Sequence, residues 1–243
     1  MRIGIISDVH SNIEALEAVL AEVEAKGCAL VVCLGDVVGY GASPNECCER
    51  IREVAEICLL GNHDAASCGR MDYSRYYNAA RQALAWTASR LTPENEEWLA
   101  SLPYVDRLGN VGLSHGSPLE PEKYHYVYEA EQAERVLPIA ESLPAITFIG
   151  HSHLCKAFAV EGGRVREIEA ERFRLAEGVR YLVSAGSVGQ PRDGDSRACF
   201  ATFDTVSREV AWHRVAYDIE ASARRIFDAD LPVNFGKRLF LGI

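Results

Sequence analysis

Short apolar runs alternate with helical patterns through the first third of the chain. "IGIIS" (3–7) is followed by "SNIEALEAVLAEVEAKG", in which Ile13, Leu16, Val19, Leu20 and Val23 recur at helical spacing. Ser11 and Glu14 have the spacing of a capping box, and Gly27 supplies a stop. "ALVVCLG" is apolar throughout, as a strand buried on both faces requires. Ser43 and Pro44 then open a helix over "SPNECCERIREV", and "EICLLG" is a third strand. Strand, helix, strand, helix, strand predicts a parallel α/β unit with right-handed crossovers.

The texture changes later in the chain. Residues 74–101 are helical in pattern, with a fresh start at Thr92, Pro93 and Glu94. "YVDRLGNVGLSH" predicts a hairpin, 129–138 a short helix, and "AITFIG" another strand. Gly162 and Gly163 mark the turn of a second hairpin in "KAFAVEGGRVREIE". "VRYLVSAGS", "ACFATFD" and "REVAWHRVAY" add strands, and "DIEASARRIFDA" closes with a helix. No repeat, low-complexity tract or linker interrupts residues 1–243, so one α/β domain with parallel and antiparallel strands is expected. The apolar tail "LPVNFGKRLFLGI" is expected to pack on that domain rather than mark an interface.

Composition narrows the function. Thirty-five acidic residues against 25 basic ones give a net charge of −10, which disfavours broad attraction to long nucleic acids. No apolar run approaches the roughly 18 residues of a membrane span. The first residues carry one basic side chain and no small-residue cleavage site, unlike a signal peptide. Eight cysteines form no C-x-x-C pair; Cys33 and Cys58 lie in strand-like runs, and Cys47 and Cys48 are adjacent on a helix. Reduced thiols and a cytoplasmic location are the expectation.

The chemistry concentrates where apolar runs end. "IGIIS" leads into Asp8 and His10, "VVCLG" into Asp36, and "ICLLG" into Asn62, His63 and Asp64. "NVGLS" leads into His115, and "ITFIG" into His151 and His153. Ligand sites of open α/β sheets form beyond the carboxyl ends of strands, so these clusters point to one crevice. Imidazole, carboxylate and amide oxygen without thiolate suit divalent Mn, Fe, Ni or Zn better than a structural zinc. Each signal alone has a plain structural reading: Asp8 as a helix cap, Asn62-His63-Asp64 as a turn, a lone histidine as a hydrogen-bonded surface group. Five of the seven histidines fall in these clusters; His125 and His213 do not and are read as structural.

The ordered set D-x-H, G-D, G-N-H-D, a lone H and G-H-x-H resembles the calcineurin-like metallophosphoesterases. "GDVVGYGASPNEC" and "SAGSVGQPRDGD" are similar to a small bacterial and archaeal branch of that family. The resemblance implies a four-layer α/β/β/α sandwich with two mixed central β-sheets flanked by helices. It implies two divalent metal ions, Mn favoured over Fe, Ni, Zn or Mg, sharing a hydroxide. Asp8, His10, Asp36 and His153 would hold one ion; Asp36, Asn62, His115 and His151 would hold the other. His63 would act on the leaving group or the transition-state charge, with Asp64 orienting it and supporting its protonated form. Two divalent ions bring +4 against −2 from Asp8 and Asp36, leaving about +2 for a phosphate inside an acidic protein.

Substrate contacts are expected from Gln190 and Arg192, from the backbone amides of Gly186 and Gly189, and from Tyr40 by stacking. Tyr73, Tyr76 and Tyr77 are similar candidates; a plain turn at "PRDGD", packing of Tyr40 against the first helix and core packing of the other three tyrosines are the alternatives. The resemblance implies hydrolysis of phosphodiesters or nucleotide polyphosphates, with small, nucleotide-like phosphorylated substrates as partners. A serine/threonine protein phosphatase is the second choice, and a non-catalytic scaffold on the same fold the remote one.

Overall fold

Strand faces alternate, and that alternation builds the layers. The structure, a computed structural model, describes all 243 residues. In β1 (Arg2–Ile6), Ile3 and Ile5 face one side, whereas Gly4 and Ile6 face α1 (Ile13–Ala25) on the other. A Cβ at Gly4 would sit 2.9 Å from Val23, so the absence of a side chain lets α1 lie close on the sheet. β2 (Leu30–Cys33), α2 (Pro44–Val54) and β3 (Ile57–Cys58) complete the expected parallel unit. Three helices follow: α3 (Asn62–Ser67), α4 (Asn78–Arg90) and α5 (Pro93–Ser101).

The hairpin β4 (Val105–Leu108) and β5 (Val111–Ser114) starts a second sheet. It continues through α6 (Ala130–Glu134), β6 (Ile146–Ile149), β7 (Cys155–Glu161) and β8 (Arg164–Glu167). β9 (Arg172–Arg174), a strand without a clear pattern in the sequence, returns to the first sheet, and β10 (Arg180–Ala185) lies in the second. β11 (Ala198–Asp204), β12 (Glu209–Val215), α7 (Ile219–Asp228) and α8 (Val233–Leu241) close the chain. The sheet orders are β3-β2-β1-β11-β12-β9 and β4-β5-β6-β10-β7-β8. Both sheets are mixed: β1, β2 and β3 run parallel in one, and β5, β6 and β10 in the other.

Ile3, Ile5, Val32 and Leu34 from the first sheet interlock with Ile146, Phe148, Tyr181 and Val183 from the second. Outside that shared core, α1 and α2 cover the first sheet, and the segment around Ala133 and Val136 covers Phe158 and Leu182 of the second. The result is the expected α/β/β/α sandwich.

Local details differ from the sequence reading. Asn12, not Ser11, caps α1, its Oδ1 accepting from Ala15 N–H at 3.1 Å. Ser11 lies in the left-handed region at φ 54°, and Glu14 turns away to Ser222 and Arg225 of α7. The apolar tail packs as expected, but as a helix: Phe235 and Leu239 are buried, while Phe240 and Leu241 stay exposed. All eight cysteines are free thiols. No helix is long and apolar enough to cross a membrane.

Candidate metal centre

Five parallel strands deliver the candidate side chains to one end of the sandwich. Asp8 and His10 follow β1, Asp36 follows β2, and Asn62 and His63 start α3 after β3. From the other sheet, His115 follows β5, and His151 and His153 follow β6. All of them are buried. Asp8, His10, Asp36, His151 and His153 adopt positive φ of 50–65°. That conformation costs a non-glycine residue on the order of 1–3 kcal/mol and persists where the surroundings hold it. Glycines before these residues have a steric reason: a Cβ at Gly61 would sit 2.1 Å from Asp36 Oδ1, and one at Gly150 1.9 Å from Ser7 Oγ.

Donor atoms converge in two neighbouring groups. Asp8, His10 and His153 present ligand atoms within 4.8 Å of one another, as do Asp36, His115 and His151. Asn62 Oδ1 lies 3.2 Å from His115 Nε2, and Asp36 Oδ2 lies 3.4 Å from that nitrogen and 3.7 Å from His10 Nε2. Asp36 therefore stands between the groups. A third set joins His10 and Asp36 to His63.

Tautomers test whether these residues fit a cation. His10 Nδ1 faces the Val38 carbonyl at 3.2 Å, and His153 Nδ1 faces the Gln190 carbonyl at 2.5 Å. A carbonyl only accepts, so each Nδ1 carries its hydrogen and a neutral ring leaves Nε2 bare. Burial pushes both rings well below the ordinary histidine pKa, keeping them neutral. The two Nε2 atoms then face each other at 3.0 Å with lone pairs only. A shared cation satisfies that contact; a hydrogen bond does not. The donor set fits a divalent ion, and the Nδ1 partners orient the rings as in metal sites.

A model of the calcineurin-like phosphoesterase superfamily domain matches residues 1–208. The chain belongs to that superfamily. An uncharacterized protein of Methanocaldococcus jannaschii is 38% identical over 246 aligned positions, covering 99% of this chain and 98% of that one. A metallophosphoesterase structure from Sphaerobacter thermophilus superposes with a TM-score of 0.85 at 37% identity, covering 100% and 99% of the two chains. A hypothetical protein from Pyrococcus horikoshii shares the fold, with a TM-score of 0.79 at 20% identity and coverage of 100% and 98%.

Within this phosphoesterase domain, the remaining expected residues divide. Burial would raise Asp36, but the fields of His115 and His63 outweigh it and hold the carboxyl well below its ordinary value. Conversely, burial would lower His115, yet Asp36 raises it to about 9. His63 has its ring edge against His10, with centroids 4.9 Å apart, and an unpartnered Nδ1. Burial lowers its pKa to about 4, so the ring is neutral near pH 7.

Asp64 departs from its expected role. Its two oxygens accept from Val38 N–H and Gly61 N–H, each at 3.0 Å, so it ties α3 to the loop after β2. It makes no hydrogen bond to His63. Burial and the nearby Asp36 raise its pKa to about 7, which weakens its support for an imidazolium. Instead, the His63 backbone N–H donates to Asp36 Oδ1 at 2.8 Å.

Gly189 is also committed elsewhere, since its N–H donates to the Asp8 carbonyl at 2.9 Å. Ser187 Oγ donates to the same carbonyl at 2.9 Å. The "SAGSVGQ" stretch thus clamps the Asp8 loop. Tyr40 is buried, its ring tilted against His10 and His63 at 4.7 and 4.3 Å and against Phe235 of α8 at 4.7 Å. It packs against α8, not against α1, and lines the crevice beside His63. Gln190 is buried, and its Oε1 accepts from Arg192 Nη2 at 3.1 Å, while the Arg192 guanidinium lies 5.8 Å from the Tyr40 ring centre. Arg192 is left half-buried beside the cluster.

Sequence reasoning offered Tyr76 and Tyr77 beside Tyr40 but missed Tyr126 and Tyr128, which line the same crevice. Tyr126 stacks on His151 at 3.8 Å and 19°, and Tyr76 Oη accepts from Asn62 Nδ2 at 2.9 Å. Tyr76 and the exposed Tyr77 edge the crevice instead of filling the core. The alternation "YHYVY" at 124–128 was the available signal.

Proposed function

We propose that this protein is a dinuclear-metal phosphoesterase hydrolysing phosphodiesters or nucleotide polyphosphates, with Mn²⁺ the favoured ion. The observation that carries it is the His10–His153 contact, two lone pairs 3.0 Å apart that call for a cation. Asp8, His10, Asp36 and His153 would hold one ion, and Asp36, Asn62, His115 and His151 the second. Bound ions would supply Lewis-acid polarisation of the phosphoryl oxygens and a water of lowered pKa.

The chain's own groups orient and exclude. Family membership over residues 1–208 supports the reaction class. His63, neutral near pH 7 and lining the crevice beside the cluster, is the side chain we assign to hydrogen-bond the leaving oxygen. Arg192, beside the cluster, is the side chain available to a non-reacting phosphoryl oxygen. Gln190 fixes His153 through its carbonyl and Arg192 through its side chain.

The test is elemental analysis of purified protein together with hydrolysis of 4-nitrophenyl phosphate and bis(4-nitrophenyl) phosphate. About two ions per chain and Mn²⁺-dependent turnover are expected, faster on the diester. No bound metal and no hydrolysis across several divalent ions would leave the scaffold reading in its place. Faster turnover of a phosphoserine peptide than of any nucleotide would favour the protein phosphatase.

A further inference from the structure

Beside the cluster lies a cavity of about 700 Å³, bounded on the inside by His63, Asn62 and His151. That volume accommodates a whole small molecule rather than a phosphate alone. Its composition is unlike the rest of the chain. Six of the ten tyrosines line it, and no aspartate or glutamate does, although the chain carries 35 acidic residues.

The cations there are Arg75, Lys123 and Arg135. Lys123 is paired with Glu120. Neither Arg75 nor Arg135 has a carboxylate within salt-bridge distance (4.0 Å). Unpaired guanidiniums beside exposed aromatic faces, in a wall without acids, match a ligand that is both aromatic and anionic. Tyr77, Tyr126 and Tyr128 keep 55%, 46% and 36% of their surface exposed, so each offers ring surface to a ligand, Tyr126 on the side away from His151.

We infer that this cavity is the subsite for the non-reacting part of a nucleoside polyphosphate. The base lies on Tyr77, Tyr126 and Tyr128, and a further phosphate meets Arg75 and Arg135. The inference rests on the phosphoesterase reading and narrows it, selecting nucleotide polyphosphates over simple phosphodiesters and phosphopeptides. Tyr126 also stacks on His151, so the base seat and a metal-ligand candidate share one wall.

Calorimetry on Mn²⁺-loaded protein tests the inference without turnover, using α,β-methylene-ADP and methylenediphosphonate, the same phosphonate chain without a nucleoside. The nucleotide analogue is expected to bind at least about tenfold tighter. Tyr77→Ala with Tyr128→Ala should weaken it about five- to a hundredfold, the range for lost base stacking, and leave methylenediphosphonate within about twofold. Arg75→Gln with Arg135→Gln should weaken β,γ-methylene-ATP more than α,β-methylene-ADP. Metal content and circular dichroism of the variants verify folding and the cluster. Equal wild-type affinity for the two diphosphonates, variants that leave the nucleotide gap unchanged, or tighter binding of a phosphoserine peptide would overturn the subsite. In each case Mn²⁺-dependent hydrolysis of bis(4-nitrophenyl) phosphate would leave the phosphoesterase reading standing. Absence of that hydrolysis together with absence of metal would remove both.

Discussion

His10 and His153, 143 residues apart and from different sheets, point their Nε2 atoms at each other across 3.0 Å. Each ring is turned by a backbone carbonyl, of Val38 and of Gln190, so the contact is imposed by the fold. His153→Ala should abolish one metal equivalent and keep the other, and His115→Ala should do the converse. Elemental analysis with titration of Mn²⁺ reads this directly. Loss of the same ion in both variants would contradict the division.

A substitution at His63 tests whether the proposed chemistry separates from metal binding. His63→Ala should retain about two ions and lose about 10²- to 10⁴-fold in kcat on a diester, the usual range for a proton-transfer group. Turnover within a few-fold of wild type would exclude the role.

Asp64 belongs to a different category from His63, although the two are adjacent. Asp64→Ala leaves the Val38 and Gly61 amides without their acceptor in a buried place. Each orphaned donor costs about 1–3 kcal/mol, so urea denaturation should show a loss of at least about 2 kcal/mol. A catalytic defect at unchanged stability would instead restore Asp64 as the orienting group of His63.

Metal removal should be visible in stability. Each ion held at a hundredfold its Kd contributes about 2.7 kcal/mol, and about 1 kcal/mol moves Tm by roughly 2–4 °C at this chain length. Chelation is therefore expected to lower Tm by at least about 5 °C, reversibly with Mn²⁺. An unchanged melting curve would mean that the chain holds no ion.

Much of this site was legible because its signals are local. A strand that ends in glycine and then a ligand residue writes both the parallel strand and the close approach into three or four adjacent letters. Gly61 is the case in point: its missing Cβ leaves room for Asp36 Oδ1. The sheet layers were legible in the alternation of Ile3 and Ile5 against Gly4 and Ile6. What was not legible depends on partners far along the chain. Ser11 has the chemistry of a cap, but its hydroxyl is bypassed because Asn12 also reaches Gly189, 177 residues away. The uses of Asp64 and Gly189 are likewise set by loops from other strands, which no window of the sequence contains.

Tyr40 makes the same point at the C-terminus, and it supports a test. Its ring lies between the His10–His63 pair and Phe235, so α8 backs the candidate metal centre through an aromatic side chain. Phe235 is 1% exposed, and truncation of a buried Phe to Ala costs about 3–5 kcal/mol. Phe235→Ala should destabilise the fold by that order and leave the Tyr40 ring free to move off His63. A fall in kcat on bis(4-nitrophenyl) phosphate is then expected below the melting transition, with KM and metal content little changed. Phe235→Leu, which keeps most of the volume, should recover stability first and kcat only in part, because the aromatic contact is not restored. Full kcat in Phe235→Ala at a temperature where it is folded would show that Tyr40 needs no support from α8.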